Sequence, residues 1–326
     1  PGPASHTWVY GHNWVCLAFL LTHSQWGVLA LPVLSMLYVR RVDVEKLRAK
    51  HGEWKFQTKH EQALDLVRQV IRTLRALGSQ AGWIVVMDGA YAAKTLLRPL
   101  LADGAHVISR LRRNAQLYDL PAPHNGRRGR PRIYGVNRIS LAKRAGHRGG
   151  WQTITFLCRG VEITRRCKTF LATTRLTGGV VRVVLLEHER GNWAAYFCTN
   201  LAFDAKTVLE IGAERWAIEE MFHDVKEVGG AGQQQVRNVW SNIGCWHLNI
   251  WLHSLVELTS WDRPAEELVD RGDRSWDNPD RRPSHADRRR QIRREMMEKQ
   301  FLVDLPPELK HKQILARLNQ LLALAT

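Results

Sequence analysis

Four apolar, β-favouring runs crowd into residues 151–202, and no other stretch limits the possible folds as strongly. They read WQTITFLC, VEITRRCKTFLATT, VVRVVLLEHE and NWAAYFCTNLA, separated by Arg159-Gly160, Gly178-Gly179 and Gly191-Asn192. Runs rich in Val, Ile, Thr and aromatic residues suit a pleated surface. Gly-Gly and Gly-Asn between such runs signal hairpins because these residues tolerate positive φ.

A different pattern precedes this block. From Thr58 to Leu77 the apolar residues Leu64, Val67, Ile71 and Leu74 recur at helical spacing, with Thr58 and Glu61 placed as a capping box and Gly78 as a C-terminal cap. WIVVMD at 83–88 then reads as a short strand, a helical segment runs from about Ala90 until Pro99 ends or kinks it, and HVISRLR at 106–112 reads as another strand. Helix, strand, helix, strand indicates a βαβ-type unit with Asp88 at the carboxyl end of its strand, where ligands gather in open α/β sheets. Asp88 as a simple cap of the following helix remains the alternative. Residues 7–22 and 26–39 predict a hairpin turning at His23 to Gln25, with Gly27 and Pro32 placing the second strand toward an edge. This apolar stretch is too interrupted for a membrane span, and no signal peptide is visible.

The chemistry concentrates in VLEIGAERWAIEEMFHDVKEVG, residues 208–229, which predict one helix opened by Asp204 and ended by Gly229-Gly230. On it Arg215, Glu219, His223 and Lys226 fall within about 80° of arc, beside an apolar stripe of Ile218, Met221, Phe222 and Val225. A solvated face of mixed charge is the ordinary explanation. Against it, Arg before Glu is the poorer order for an i,i+4 pair, and Lys226 lies two turns past Glu219. A row of groups facing one anionic ligand fits this spacing better than mutual neutralisation. Glu220-x-x-His223 matches half of a di-iron motif, but no second copy exists on another predicted helix.

The remaining segments are less specific. Pro and Gly punctuate 119–150 as a loop, and within it Arg128-Gly129-Arg130-Pro131-Arg132 resembles the core of an AT-hook, whose arginines enter a minor groove. An apolar helix over 239–258 places Trp240, Ile243, Trp246, Ile250, Trp251 and Leu255 as core residues. The arginine-rich stretch 261–294 reads as exposed, and an amphipathic helix over about 307–324 closes the chain. Lys and Arg outnumber Asp and Glu by 48 to 31 among 326 residues, a net charge of +17, so a polyanion, with nucleic acid ahead of a membrane, is the first partner to consider. Five cysteines, odd in number, widely spaced and without a CxxC pair, argue against zinc sites and a disulfide framework and fit a reducing cytoplasm.

Arg215-x3-Glu219-x6-Lys226 resembles the Tyr-x2-Arg-x3-Glu-x6-Lys signature of cut-and-paste transposases from bacterial insertion sequences. Asp88-Gly89-Ala90-Tyr91 resembles the strand end that presents the second acid of their Asp-Asp-Glu triad. The similarity runs over most of the chain, through QQQVR and the basic tail. The resemblance implies an α/β fold with an RNase H-like mixed sheet flanked by helices and a β-rich insertion between the second Asp and the Glu. The corresponding divisions are 1–118, the amino-terminal part of the catalytic domain; 119–202, basic loop and insertion; 203–260, carboxy-terminal helices; and 261–326, basic tail.

It also implies that Asp88 and Glu219 are catalytic and metal-ligating, holding two Mg²⁺ ions with Mn²⁺ as a substitute. Arg215, His223, Lys226, Arg237, Arg128, Arg130 and Arg132 would bind DNA. The partners would be double-stranded DNA, as transposon ends and target, and a second copy of the chain, in a cytoplasmic, nucleoid-associated setting without a membrane. Two departures stand out. Gly212 replaces the signature Tyr, and the first Asp is missing, since Asp43 and Asp65 both lie in the wrong place. A chain beginning after the first strand accounts for this. A non-catalytic DNA-binding remnant or inhibitor of transposition is therefore the alternative to an active enzyme.

Overall fold

The computed structural model describes residues 11–51, 54–123, 129–188, 192–269, 277–278, 280–303, 312, 314–316 and 318–319. β1 (Asn13–His23) and β2 (Gly27–Tyr38) form a two-stranded sheet, as the apolar runs predict, so Pro32 sits on an edge strand. His23 shapes the turn by accepting from the Gln25 and Trp26 backbone amides. A helix that the sequence reading did not identify, α1 (Arg41–His51), follows, then α2 (Lys59–Ala76), whose Thr58–Glu61 capping box is complete in both directions. β3 (Ile84–Met87) leads through a 3-10 turn (Gly89–Tyr91) to α3 (Lys94–Ala102) and β4 (His106–Leu111). Pro99 does not end α3, which continues to Ala102.

The expected loop at 119–150 carries some regular structure. β5 (Leu117–Tyr118) lies just ahead of it and pairs with β6 (Arg138–Ile139), and α4 (Leu141–Gly146) is capped by Ser140. Next come β7 (Gln152–Cys158), β8 (Val161–Thr174), β9 (Gly179–Glu187) and β10 (Trp193–Cys198), then α5 (Ala205–Glu214) and α6 (Ala217–His223). A π-helical turn (Asp224–Val228), α7 (Val239–Ser260), α8 (Ala265–Leu268) and α9 (His285–Val303) complete the described elements. No helix among the described residues is long and apolar enough to cross a membrane.

The β-rich stretch does not form a separate sheet. β10 pairs antiparallel with β4, giving one eight-stranded sheet in the order β3-β4-β10-β9-β8-β5-β6, with β7 on β8. Only β3 and β4 run parallel, joined through α3 as a βαβ unit. Alternation of side chains then sorts residues between two cores. Val107, Val183, Leu185 and Phe197 face Leu96, Leu97 and Leu100 of α3 and Val67 and Ile71 of α2. Ile108, Val184, Leu186 and Cys198 face Val208 and Leu209 of α5. Strands buried on both faces need apolar residues at nearly every position, which is why VVRVVLLE shows no polar alternation.

Contacts group the described chain into two units. One holds Leu34–Glu219 with the chain up to Leu20, and the other holds Leu21–Val33 with the chain from Glu220. Within the second unit two expectations need correction. Trp246 and Ile250 of α7 are buried as expected, but Trp240, Trp251 and Leu255 are exposed, and the buried face instead carries Asn242, His253, Glu257 and Ser260. The arginine-rich stretch is not simply solvated. Arg288 is buried against Glu257, and Arg281 and Arg290 pair with buried Asp287. Interleaved acids neutralise these arginines, which a count of like charges overlooks.

The Thr58 cap yields a direct test. Thr58→Ala removes the side-chain acceptor and is expected to cost about 1 kcal/mol, whereas Thr58→Ser retains it. Urea denaturation should show a lower midpoint for the alanine variant and a value near wild type for serine.

Candidate functional site

Asp88 directly follows β3 and is exposed. Its Oδ1 accepts from the Ala90 amide at 2.8 Å, so it does cap the 3-10 turn. The capping bond uses one oxygen and leaves the other carboxylate oxygen for a ligand, so both readings of this residue coexist. Gly89 sets the position of the turn. A Cβ there would meet the Arg110 carbonyl oxygen at 3.2 Å, on a sheet strand that cannot give way cheaply.

The expected single helix over 208–229 is broken. α5 stops at Glu214, and Arg215 and Trp216 form a bend before α6. At the other end the turn widens, with the Gly229 amide donating to the Asp224 carbonyl, and a Schellman-type closure follows: Ala231 N–H to Val225 O and Gly230 N–H to Lys226 O, with Gly230 at φ +77°. The continuous stripe of four ionisable groups therefore does not persist. Arg215 and Glu219 do meet, Nη1 to Oε1 at 3.0 Å, contrary to the expectation that they would not neutralise one another. Because the pair is partly exposed, it is worth only about 0.2–1 kcal/mol. A cation or phosphate can displace it at small cost.

Beside this bend lies a cleft of about 380 Å³. Its walls include Val86 and Met87 at the end of β3, Ser109 and Arg110 on β4, Arg159 and Arg165 from the β7–β8 hairpin, and Gly212, Arg215 and Trp216. The residues just before Asp88 and the bend just before Glu219 thus line one concavity, although neither carboxylate is part of its wall. No acid lines it among the described residues. Arg159 is held there by its turn: it sits at φ +55° beside Gly160 at φ +77°, the two positive values of a tight hairpin, and its guanidinium lies 3.7 Å from the centre of the Trp216 ring. Burial pushes the Tyr196 hydroxyl up against the pull of Arg110, so it stays a neutral donor in the cleft wall.

The other expected DNA contacts distribute differently. Arg130 and Arg132 are exposed, while Arg128 lies outside the described residues. In the second unit His223 is exposed beside Asp224, Lys226 lies over the Phe222 ring, and Arg237 is exposed ahead of α7. Arg110, Arg159, Arg165 and Trp216 were not singled out from sequence. Arg159 alone carried a local signal, as the first residue of a hairpin turn.

The family model described as a transposase DDE domain matches residues 55–255. No curated protein matches the chain. The mixed sheet with helices on both faces agrees with the RNase H-like architecture of such domains.

Two glycines in this region should respond oppositely to the same substitution. At Gly212, inside α5, an added Cβ would touch the Tyr196 ring at 3.6 Å, ordinary contact, so Gly212→Ala should stabilise the protein by about 1 kcal/mol through helix propensity. Gly89→Ala, crowded against the Arg110 carbonyl, should lower the melting temperature. Thermal unfolding with equal or reversed signs would contradict the packing described.

Proposed function

Since the chain belongs to the transposase DDE-domain family, we propose that it is a DDE-type unit of a bacterial insertion sequence, binding transposon-end and target DNA as a dimer in the nucleoid. The observation that carries this reading is the cleft whose charged wall residues are all arginines and whose walls include the residues just before Asp88 and Glu219. Duplex DNA presents closely spaced phosphates, and Arg110, Arg159, Arg165 and Arg215 offer charge at several points along one groove.

The family uses divalent metal ions. The donors fit a hard cation: Asp88 and Glu219 offer carboxylate oxygens, Asp88 at a strand end and Glu219 held only by a weak ion pair. Mg²⁺ bound there, or Mn²⁺ in its place, would activate water or a 3′-hydroxyl for in-line attack on a phosphodiester and offset charge on the leaving oxygen. Arg215, freed from Glu219, would turn to a phosphate, and Arg159, braced on Trp216, would hold another. Lys226, His223, Arg237 and the arginines at 128, 130 and 132 would add further phosphate contacts.

A second reading rests on a specific observation. Asp43 lies on α1, paired with Arg40 at 2.7 Å, and Asp65 on α2, accepting from Gln57 at 2.6 Å, so neither stands on a strand, where the first acid of the triad is expected. On this reading the chain binds end DNA without cleaving it, as a non-catalytic remnant or an inhibitor of transposition.

Binding is read by fluorescence anisotropy on duplex DNA across a salt series. The Arg159→Ala/Arg165→Ala variant should bind more weakly, with the slope of log affinity against log salt shallower by about 1.8, two phosphate contacts at ~0.9 each. An unchanged slope would remove the cleft from the DNA-binding surface.

A further inference from the structure

Asp224, His253 and His285 come together in the second unit from three separate elements. One oxygen or nitrogen from each lies within 4.8 Å of the other two. Asp224 opens the π-helical turn, His253 lies on the buried face of α7, and His285 begins α9. Both imidazoles are almost fully buried, at 5% exposure each, and they stack with ring centres 4.3 Å apart.

The hydrogen bonds of this cluster are incomplete in an informative way. His285 Nδ1 is taken by Glu257 Oε1 at 2.6 Å, and Glu257 is tied in turn to Arg288. That leaves Nε2 as the nitrogen of His285 open to a ligand. His253 approaches Asp224 with Nε2 at 4.0 Å, beyond a hydrogen bond, and its buried Nδ1 has no partner among the described residues. A buried imidazole with an unmet nitrogen, beside a half-buried carboxylate just out of hydrogen-bond reach, is costly unless something joins them.

We propose that Asp224, His253 and His285 bind a divalent transition-metal ion of the zinc class. Two imidazoles and a carboxylate form a ligand set that suits such an ion, with a fourth position for water. Glu257 supplies the outer carboxylate that orients a ligating histidine by holding its other ring nitrogen. Tetrahedral ligands at 2.0–2.1 Å stand about 3.3 Å apart, so the side chains need close by only about an ångström or so around the ion. The ion would fasten the π-helical turn, five residues past Glu219 in sequence, to α7 and α9. It is separate from any site at Asp88 and Glu219, since it shares no ligand with them.

The test uses the full chain carrying Asp88→Asn and Glu219→Gln, which removes those other acids. After desalting it should retain one equivalent of Zn²⁺ by elemental analysis, or of Co²⁺ with visible d–d absorption that Zn²⁺ abolishes. X-ray absorption at the zinc edge should show two imidazoles and no sulfur. Asp224→Asn on the same background should weaken Co²⁺ binding at least about tenfold. Absence of a retained ion, sulfur in the coordination shell, fewer than two imidazoles, or unchanged affinity in a folded Asp224→Asn variant would each overturn the site. If Asp224→Asn does not fold, the imidazole count on the unsubstituted ligands decides.

Discussion

The antiparallel pairing of β10 with β4 is the constraint on which the candidate site depends. β4 receives β3 in parallel on one side and β10 on the other, with Cys198 opposite Ile108. Just past the strand, Thr199 locks the exit: its amide donates to the Val107 carbonyl and its hydroxyl accepts from the Val107 amide. The chain then turns at Asp204, which caps α5, and α5 lays Val208 and Leu209 on Ile108 and Val184. That return path carries the α5–α6 bend to the cleft lined by the ends of β3 and β4. Without the β4–β10 ladder, the end of β3 and the α5–α6 turn would not line one cleft.

The second unit is organised by charge as well as by apolar packing. Burial alone would push the Glu257 carboxyl up, but the His285 hydrogen bond and the Arg288 charge outweigh it and hold the group below the usual carboxylate range. Arg288 also lies over the Trp26 ring, and Asp287 gathers Arg281, Arg290 and Ser284. Breaking one partner of such a buried set strands the other, so these contacts fix which face of α7 turns inward more than they add net stability.

Much of the fold was legible because it rests on local rules. β-favouring apolar runs, paired glycines at turns, the Thr58–Glu61 box and the Asp204 cap each act over a few residues and appear directly in the sequence. Non-local effects were less visible. The bend at Arg215 and Trp216 has no Pro or Gly to announce it, so an uninterrupted helix was the natural expectation. α7 looked like a core helix because its large apolar residues recur at helical spacing. Its inward face is nevertheless the polar one, as the ion partners on α9 are nearly thirty residues away in sequence. The motifs around Asp88 and Glu219 are contiguous in sequence, whereas the arginines of the cleft come from strands and turns that only the sheet order brings together. His253 and Glu257, an i,i+4 pair of ionisable residues among the large apolar residues of α7, are the local sequence sign of the buried cluster.

The central claim, that Asp88 and Glu219 share a metal ion, is tested most directly by iron-directed cleavage. Fe²⁺ replacing Mg²⁺, with ascorbate and peroxide, generates hydroxyl radicals that cut the backbone beside the bound ion. Cuts are expected next to both Asp88 and Glu219, and Asp88→Asn should abolish the two together. Cutting beside Glu219 that persists undiminished in Asp88→Asn would show that the two acids do not belong to one site.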